Sequence, residues 1–469
     1  MRTLLSKKES AQLIILEVLL EKQKISLDDL AKVSLISKQT LCSYLDELLT
    51  KLPFLQIKKK NNEIRLLKNT IINYPVIYSY FYTCSDHFAF LEYLFFHPFT
   101  QTNKLIDQLH LNPSKYRRIK KKTICFLEKE NIFLSNSPLY FHGDFYHLAH
   151  FFTTFLYEKY PSLTSLIPVR ERKVIKEITG GLSKQIPEEL HIELYIWVMI
   201  KLSMHYPRCL TDSSNQEMDC SKILVNQKRF EQTFKIPYTV FIHNLFVRCY
   251  TDLNQPILPT EKREFKKELL HLRKKMYQIF QAQSDSFLPH TVDLIIHFLD
   301  GRTYLLNSFK KRFVLDFFMQ NGCFCSSISE QLKQAFLIFR NKIANDDLFF
   351  ELIYYLIVHD TTLVQLFIQH QQAKRIAVAC TFGNPHNLML AAYLNQWFGS
   401  RFSFEAITFD NMVNLERQVE TYDFFLTNLA IVDHPKCISC DSFLNNHDLN
   451  YLVHLFSHSM FQDWLKEFR

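Results

Sequence analysis

Residues 10–22 (SAQLIILEVLLEK) repeat apolar side chains at helical spacing behind a serine, which predicts an amphipathic helix. Ser26 then opens a shorter helix, Leu27 to Val33, with Asp28 and Asp29 in its first turn, where carboxylates meet the positive end of the peptide dipoles. Ser37 caps a third helix, Lys38 to Leu52, whose apolar stripe is Leu41, Leu45, Leu48, Leu49 and Leu52. Gln39, Thr40 and Ser43 lie on the opposite face, beside Lys38 at the leading end. Two alternating segments, Phe54 to Lys60 and Glu63 to Leu67, flank Asn61-Asn62, and asparagine tolerates the positive φ of a tight turn. A hairpin is therefore expected, with Lys58, Lys59 and Lys60 near phosphate. Three helices followed by a hairpin is the order of a winged helix-turn-helix. The third helix of such a unit reads the major groove. A packing module with no nucleic-acid role has the same order.

The pattern then repeats. Helices are predicted at Asp86–Phe96 and Thr102–His110, followed by the turn Leu111-Asn112 and a basic helix from Pro113 to about Glu130. Asn112 is a capping residue, and proline at the first helical position gives up an N–H that would have no partner there. Six of the residues from Lys115 to Lys122 are basic. Tyr116, Ile119, Thr123 and Phe126 form the buried side. Arg117, Arg118, Lys121 and Lys122 fall on the free side, and Lys120 lays its stem along the core edge. Ile132 to Leu134 and Leu139 to Phe141, around Ser135-Asn-Ser-Pro138, make a second hairpin.

From about 165 to 372 amphipathic helices are predicted almost throughout, broken by Gly180-Gly181, Pro187, Pro207 and a polar loop at 211–221. Histidines recur there after apolar runs. His297 (Leu294-Ile-Ile-His-Phe-Leu-Asp-Gly-Arg302) and His359 (Leu352-Ile-Tyr-Tyr-Leu-Ile-Val-His-Asp360) match best, and His191 and His243 form a looser pair. Separations of 62 and 52 residues suggest two copies of one helical domain. Beyond 372 the chain alternates strand and helix. Arg375–Cys380, Phe402–Thr408 and Tyr422–Thr427 read as strands, with helices at Asn387–Phe398, between the last two strands, and near 447–461.

Charge sharpens this picture. Residues 1–150 hold 21 Lys and Arg against 14 Asp and Glu, so nearly all of the chain's net charge of +8 sits at the N-terminal end. Only 7 glycines in 469 residues argue against Walker-type and Rossmann phosphate cradles. No run approaches the ~20 apolar residues of a membrane span, and no leader is read in the first residues. Eleven irregularly spaced cysteines fit reduced thiols in the cytoplasm. Cys437-Ile-Ser-Cys440, with His434 and His447 nearby, lacks the second paired set of a structural zinc site, so no metal is expected.

The whole order resembles the Mga/AtxA family of transcriptional regulators from Gram-positive bacteria. That resemblance rests on the basic helix 113–130, on the contexts of His297 and His359, and on the domain sequence. It implies two winged helix-turn-helix units, two phosphotransferase-system regulation domains and a domain similar to sugar-transport enzyme IIB. It also implies that His297 and His359, and more weakly His191 and His243, accept phosphate from phosphocarrier proteins. Imidazole suits that chemistry, being nucleophilic and largely neutral near pH 7. Cys380 falls at the position of the enzyme IIB cysteine, but Gly383 stands alone and Pro385 removes a donor N–H, so it is expected to be a silent relic.

The expected fold is mainly α, divided into winged helix-turn-helix units at 1–70 and 71–160, helical regulation domains at 161–285 and 286–372, and a small α/β domain at 373–469. The expected protein is a cytoplasmic, sequence-specific DNA-binding regulator, not an enzyme, without a cofactor or membrane partner. Its expected partners are duplex promoter DNA, phosphocarrier proteins and a second copy of itself. DNA contacts are assigned to Lys38, Gln39, Thr40, Ser43, Lys58, Lys59, Lys60, Lys115, Arg117, Arg118, Lys121 and Lys122. An RNA-binding antiterminator, a phosphotransfer protein using Cys380 and the histidines, and a protein-binding scaffold remain as alternatives.

Overall fold

The computed structural model describes residues 1–22, 24–60, 62–67, 72–160, 162–180, 191–205, 226–238, 260–283, 293, 296, 306, 309–321, 324–381, 383–398, 402–408, 420–428 and 436–439. His243, His297, Asn61, Cys440, His434, His447 and the helix expected near 447–461 lie outside these residues. The chain divides into two compact units, Met1–Leu258 with His290–Ser308, and Pro259–Pro289 with Phe309–Arg469.

The first unit opens with α1 (Lys7–Lys22), β1 (Lys24–Ser26), α2 (Leu27–Ser34), α3 (Lys38–Lys51), β2 (Ile57–Lys60) and β3 (Glu63–Leu66). The strands pair antiparallel in the order β1-β3-β2, which is a winged helix-turn-helix with its wing tied back to the segment between α1 and α2. Leu13, Ile15, Leu16, Leu41, Leu45 and Leu48 are buried and hold the three helices together. The same architecture follows in α4 (Tyr74–Cys84), α5 (Asp86–Phe96), α6 (Thr102–Gln108), α7 (Pro113–Lys129), β4 (Ile132–Leu134), β5 (Phe141–Gly143) and α8 (Phe145–Lys159). A single antiparallel bridge, Thr100 with Leu139, takes the place of β1. The sequence pattern predicts neither α4 (YPVIYSYFYTC) nor α8 (FYHLAHFFTTFLYEK). Aromatic and β-branched residues crowd them, and those residue types favour strands by local preference. Their burial is what makes them helical: Tyr82, Phe88 and Phe155 meet at ring centroids of 4.6 to 6.1 Å. The unit continues through α9 (Leu163–Leu166), α10 (Val169–Gly180), α11 (Ile192–His205) and α12 (Gln227–Phe234), and one continuous core joins these helices to both winged units.

The second unit contains α13 (Thr260–Ile279), α14 (Phe309–Asn321), α15 (Ser326–Ile343), α16 (Asp346–His359) and α17 (Thr361–Gln369), followed by β6 (Lys374–Val378), α18 (Asn384–Phe398), β7 (Phe402–Ala406), β8 (Phe424–Thr427) and β9 (Cys437–Ser439). The four strands are parallel, in the order β7-β6-β8-β9. Ile376 and Val378 pack with Leu390 and Leu394 of α18, and Ala377 packs with Phe425 on the other face. The fold is mainly α with a small C-terminal parallel sheet. No single described helix is long and apolar enough to cross a membrane; α16 and α17 pass that test only as a pair bent by 89°.

Candidate nucleic-acid interface

Local chemistry fixes the start of both third helices. Ser37 Oγ accepts from the Thr40 N–H at 3.1 Å, and Asn112 Oδ1 accepts from the Lys115 N–H at 2.7 Å. Each satisfies a backbone donor that the helix itself leaves open. Leu30 and Ala31 anchor α2 beneath α3, and Leu35 takes the left-handed conformation (φ 56°) that turns the chain between them. In the second winged unit Leu105 anchors α6, and His110 (φ 49°) makes the equivalent turn into α7.

Two of the four candidate cations of the first winged unit, Lys38 and Lys59, are engaged. Lys38 Nζ lies 2.5 Å from Asp28 Oδ1, and Lys59 Nζ lies 2.6 Å from Asp46 Oδ1. Hydrogen bonds from Lys38 and then Asn62 hold the Asp28 carboxyl below its usual range. Thr40 is half-buried with its hydroxyl 2.8 Å from Ser37 Oγ, so it belongs to the cap. Gln39, Ser43, Lys58 and Lys60 are exposed.

The second winged unit differs. Arg117, Arg118 and Lys121 are exposed along α7, and none has an ion-pair partner among the described residues. Tyr116, Ile119, Thr123 and Phe126 form the buried side, as their spacing predicts. Lys120 runs over the Tyr116 ring at 5.7 Å, at the core edge. Two lysines assigned to DNA contact are engaged within the protein, and one of them, Lys122, was expected on the free face. Lys115 pairs with Asp86 of α5 at 2.7 Å. Lys122 is half-buried, and its Nζ donates to the Leu5 carbonyl at 2.6 Å. Burial lowers the Lys122 ammonium from its ordinary value. The reason is tertiary: the segment before α1 folds onto α7, so Lys122 ties one winged unit to the other. No spacing rule in the sequence announces that contact. Behind α7, His87 is buried with Nδ1 3.4 Å from Thr123 Oγ1. Burial, then the nearby Lys122 charge, pushes its imidazole down to about 4.

Residues 73–156, from α4 into α8, match the Mga helix-turn-helix domain family. The match falls on the second winged unit. The chain is also 22% identical to a protein of Streptococcus pneumoniae serotype 4 (strain ATCC BAA-334 / TIGR4) named "Putative trans-acting regulator", over 98% of this chain and 99% of that one. Together these matches support an Mga-type regulator family and a DNA-binding transcriptional regulator. The matched residues include Arg117, Arg118 and Lys121 of α7.

Two of the histidine candidates, His191 and His359, lie within the described residues. His191 adopts φ 46° just before α11 and stacks on Tyr157 of α8 at 3.5 Å. His359 ends α16 and stacks on Tyr355, one turn earlier, at 6.1 Å. Asp360, the next residue, is buried and caps α17 through the Leu363 N–H at 2.9 Å. It also accepts from Arg273 Nε at 2.6 Å and Tyr277 Oη at 2.9 Å, both on α13. That network fixes the bend after His359. Cys380 is buried beyond the end of β6, and its backbone N–H donates to Asn387 Oδ1 of α18 at 2.8 Å. Among the described residues no cluster of His, Cys, Asp or Glu is arranged to hold a metal.

Proposed function

We propose that this chain binds promoter DNA in a sequence-specific manner through both winged units and regulates transcription there. The single observation that carries the reading is the exposed face of Arg117, Arg118 and Lys121 within the residues that match the Mga family, where three cations with no ion-pair partner among the described residues share one side of a helix. Such a face neutralises phosphates. Gln39 and Ser43 of α3 are placed to read base edges, since each hydroxyl or amide can both donate and accept. Gln39→Ala with Ser43→Ala is expected to cost about 1–3 kcal/mol of discrimination between a preferred and a scrambled duplex while leaving non-specific affinity in place. Competition binding on the two duplexes checks this, and full retention of the preference makes α3 a positioning element.

Control is assigned to histidine phosphorylation by phosphotransferase-system phosphocarriers and to self-association. The contexts of His297 and His359, and more loosely His191 and His243, support the first assignment. A phosphoryl group brings about −1.5 to −2 charges to its site and so can remodel a helical contact. For His359 the rigid bend at Asp360 is the structural support. β7 is the edge of the parallel sheet among the described strands, which supports a contact between copies there. Incubation with the phosphocarrier relay, followed by mass spectrometry for phosphohistidine and light scattering for mass, tests both. A chain that takes no label and keeps one mass overturns this control.

A further inference from the structure

Leu306 is held by residues far from it in sequence. Its carbonyl accepts from Arg2 Nε at 2.9 Å. Its N–H lies 3.0 Å from both Tyr82 Oη and Glu158 Oε2. Its side chain is fully buried in the core cluster that includes Met1, Leu4 and Tyr82. Three separate pieces of the first unit therefore converge on one residue: the segment before α1, the last turn of α4 and the end of α8.

The partners are themselves organised for this. Arg2 is held by Glu17 of α1 and Tyr78 of α4, which leaves its Nε for the Leu306 carbonyl. The Tyr82 hydroxyl donates to Glu158 and so presents its lone pairs to the Leu306 N–H. Burial, followed by the Glu158 charge, raises the Tyr82 phenol well above its ordinary value, so it stays a neutral donor. Both backbone groups of a residue outside regular secondary structure are thus satisfied by side chains in a buried site.

Position in the chain gives the seat its significance. Leu306 follows α13 and precedes α14, which both belong to the second unit, yet its hydrogen bonds are to residues of the first. The seat lies wholly inside the first unit, and the covalent chain leads from it directly into α14. We infer that Leu306 is the docking point of a strap. While seated, it clamps the segment before α1 against α4 and α8 and so fixes the two winged units for joint DNA binding. When pulled out by the chain that carries α14, it releases them. Lys122 on the Leu5 carbonyl is the second tie across the same seam. The docking does not depend on which histidine is phosphorylated; only its effect on DNA rests on the DNA-binding reading.

Hydrogen–deuterium exchange on the full chain tests the strap, with Leu306→Ala to empty the side-chain seat and Tyr82→Phe to remove only the hydroxyl. Both variants are expected to speed exchange about tenfold or more in peptides covering residues 1–6 and 306, with peptides from β6 and α18 unchanged. Tyr82→Phe keeps the ring in the core and serves if Leu306→Ala fails to fold. Affinity for a duplex long enough for both winged units is expected to fall by about fivefold or more. Exchange at residues 1–6 that ignores both substitutions overturns the strap. Faster exchange with unchanged duplex affinity overturns the coupling. If the unaltered chain binds no duplex at all, the DNA reading has failed and the exchange data still decide the docking.

Discussion

The two winged units share an architecture and differ in what their cations do. In the first, Lys38 and Lys59 are engaged by Asp28 and Asp46, Lys58 and Lys60 are exposed on the wing, and the neutral groups exposed at the head of α3 are Gln39 and Ser43. In the second, Arg117, Arg118 and Lys121 stand exposed on α7. A cation already paired must trade one anion for another when phosphate arrives, whereas a free one exchanges only mobile counterions. The difference teaches a division of labour: α7 supplies affinity and α3 supplies selectivity. One core runs through both, so they divide the task without being separate bodies.

The most severe way to break the comparison is to empty one unit's core. Leu45→Ala in α3 and Leu127→Ala in α7 remove side chains that are fully buried, and each is expected to cost about 2–5 kcal/mol. Because the core is continuous, denaturant melts followed by tryptophan emission and by far-ultraviolet circular dichroism should show both variants weakening one shared transition of the first unit. Separate transitions for the two winged units would show that they are independent after all.

A milder pair of substitutions frays only the leading turns. Ser37→Ala and Asn112→Ala each remove a cap on a third helix and are expected to lower stability by about 1 kcal/mol. The functional outcomes should diverge: Asn112→Ala weakens binding to every duplex, and Ser37→Ala chiefly blurs the preference among them. Identical binding profiles for the two variants would erase the division of labour.

The smallest effect at neutral pH comes from His87. Its folded imidazole sits at about 4 against an ordinary 6.5, so the folded state favours the neutral ring. The stability this confers is complete above 6.5 and is lost as pH falls from 6.5 toward 4, where the unfolded chain takes up a proton that the folded one refuses. His87→Gln should flatten that part of the stability–pH curve, read by thermal melts across the same window. A slope unchanged by the substitution would place the titration elsewhere.

Much of this was legible in the sequence where one face of an element meets water. Helices α2, α3 and α7 show their periodicity because polar residues mark the outer side. Helices α4 and α8 hide it, since Tyr82, Phe151, Phe152 and Phe155 are buried in a core that surrounds them. The three-residue β1 is too short to leave a pattern. The basic helix was equally plain, down to Asn112 and Pro113. Which of its cations are free was not, because Asp86 and the Leu5 carbonyl come from other elements and reach Lys115 and Lys122 only through the fold.

Salt dependence tests the division of labour most directly. Duplex affinity of the full chain would be followed across a salt series for Arg118→Ala with Lys121→Ala, and for Lys38→Ala with Lys59→Ala. The first pair is predicted to lower the slope of log affinity against log salt by about 2, roughly one unit for each phosphate no longer neutralised, and the second pair by about 1 or less. Equal reductions from the two pairs, or a larger reduction from the α3 and wing lysines, would contradict the assignment of affinity to α7.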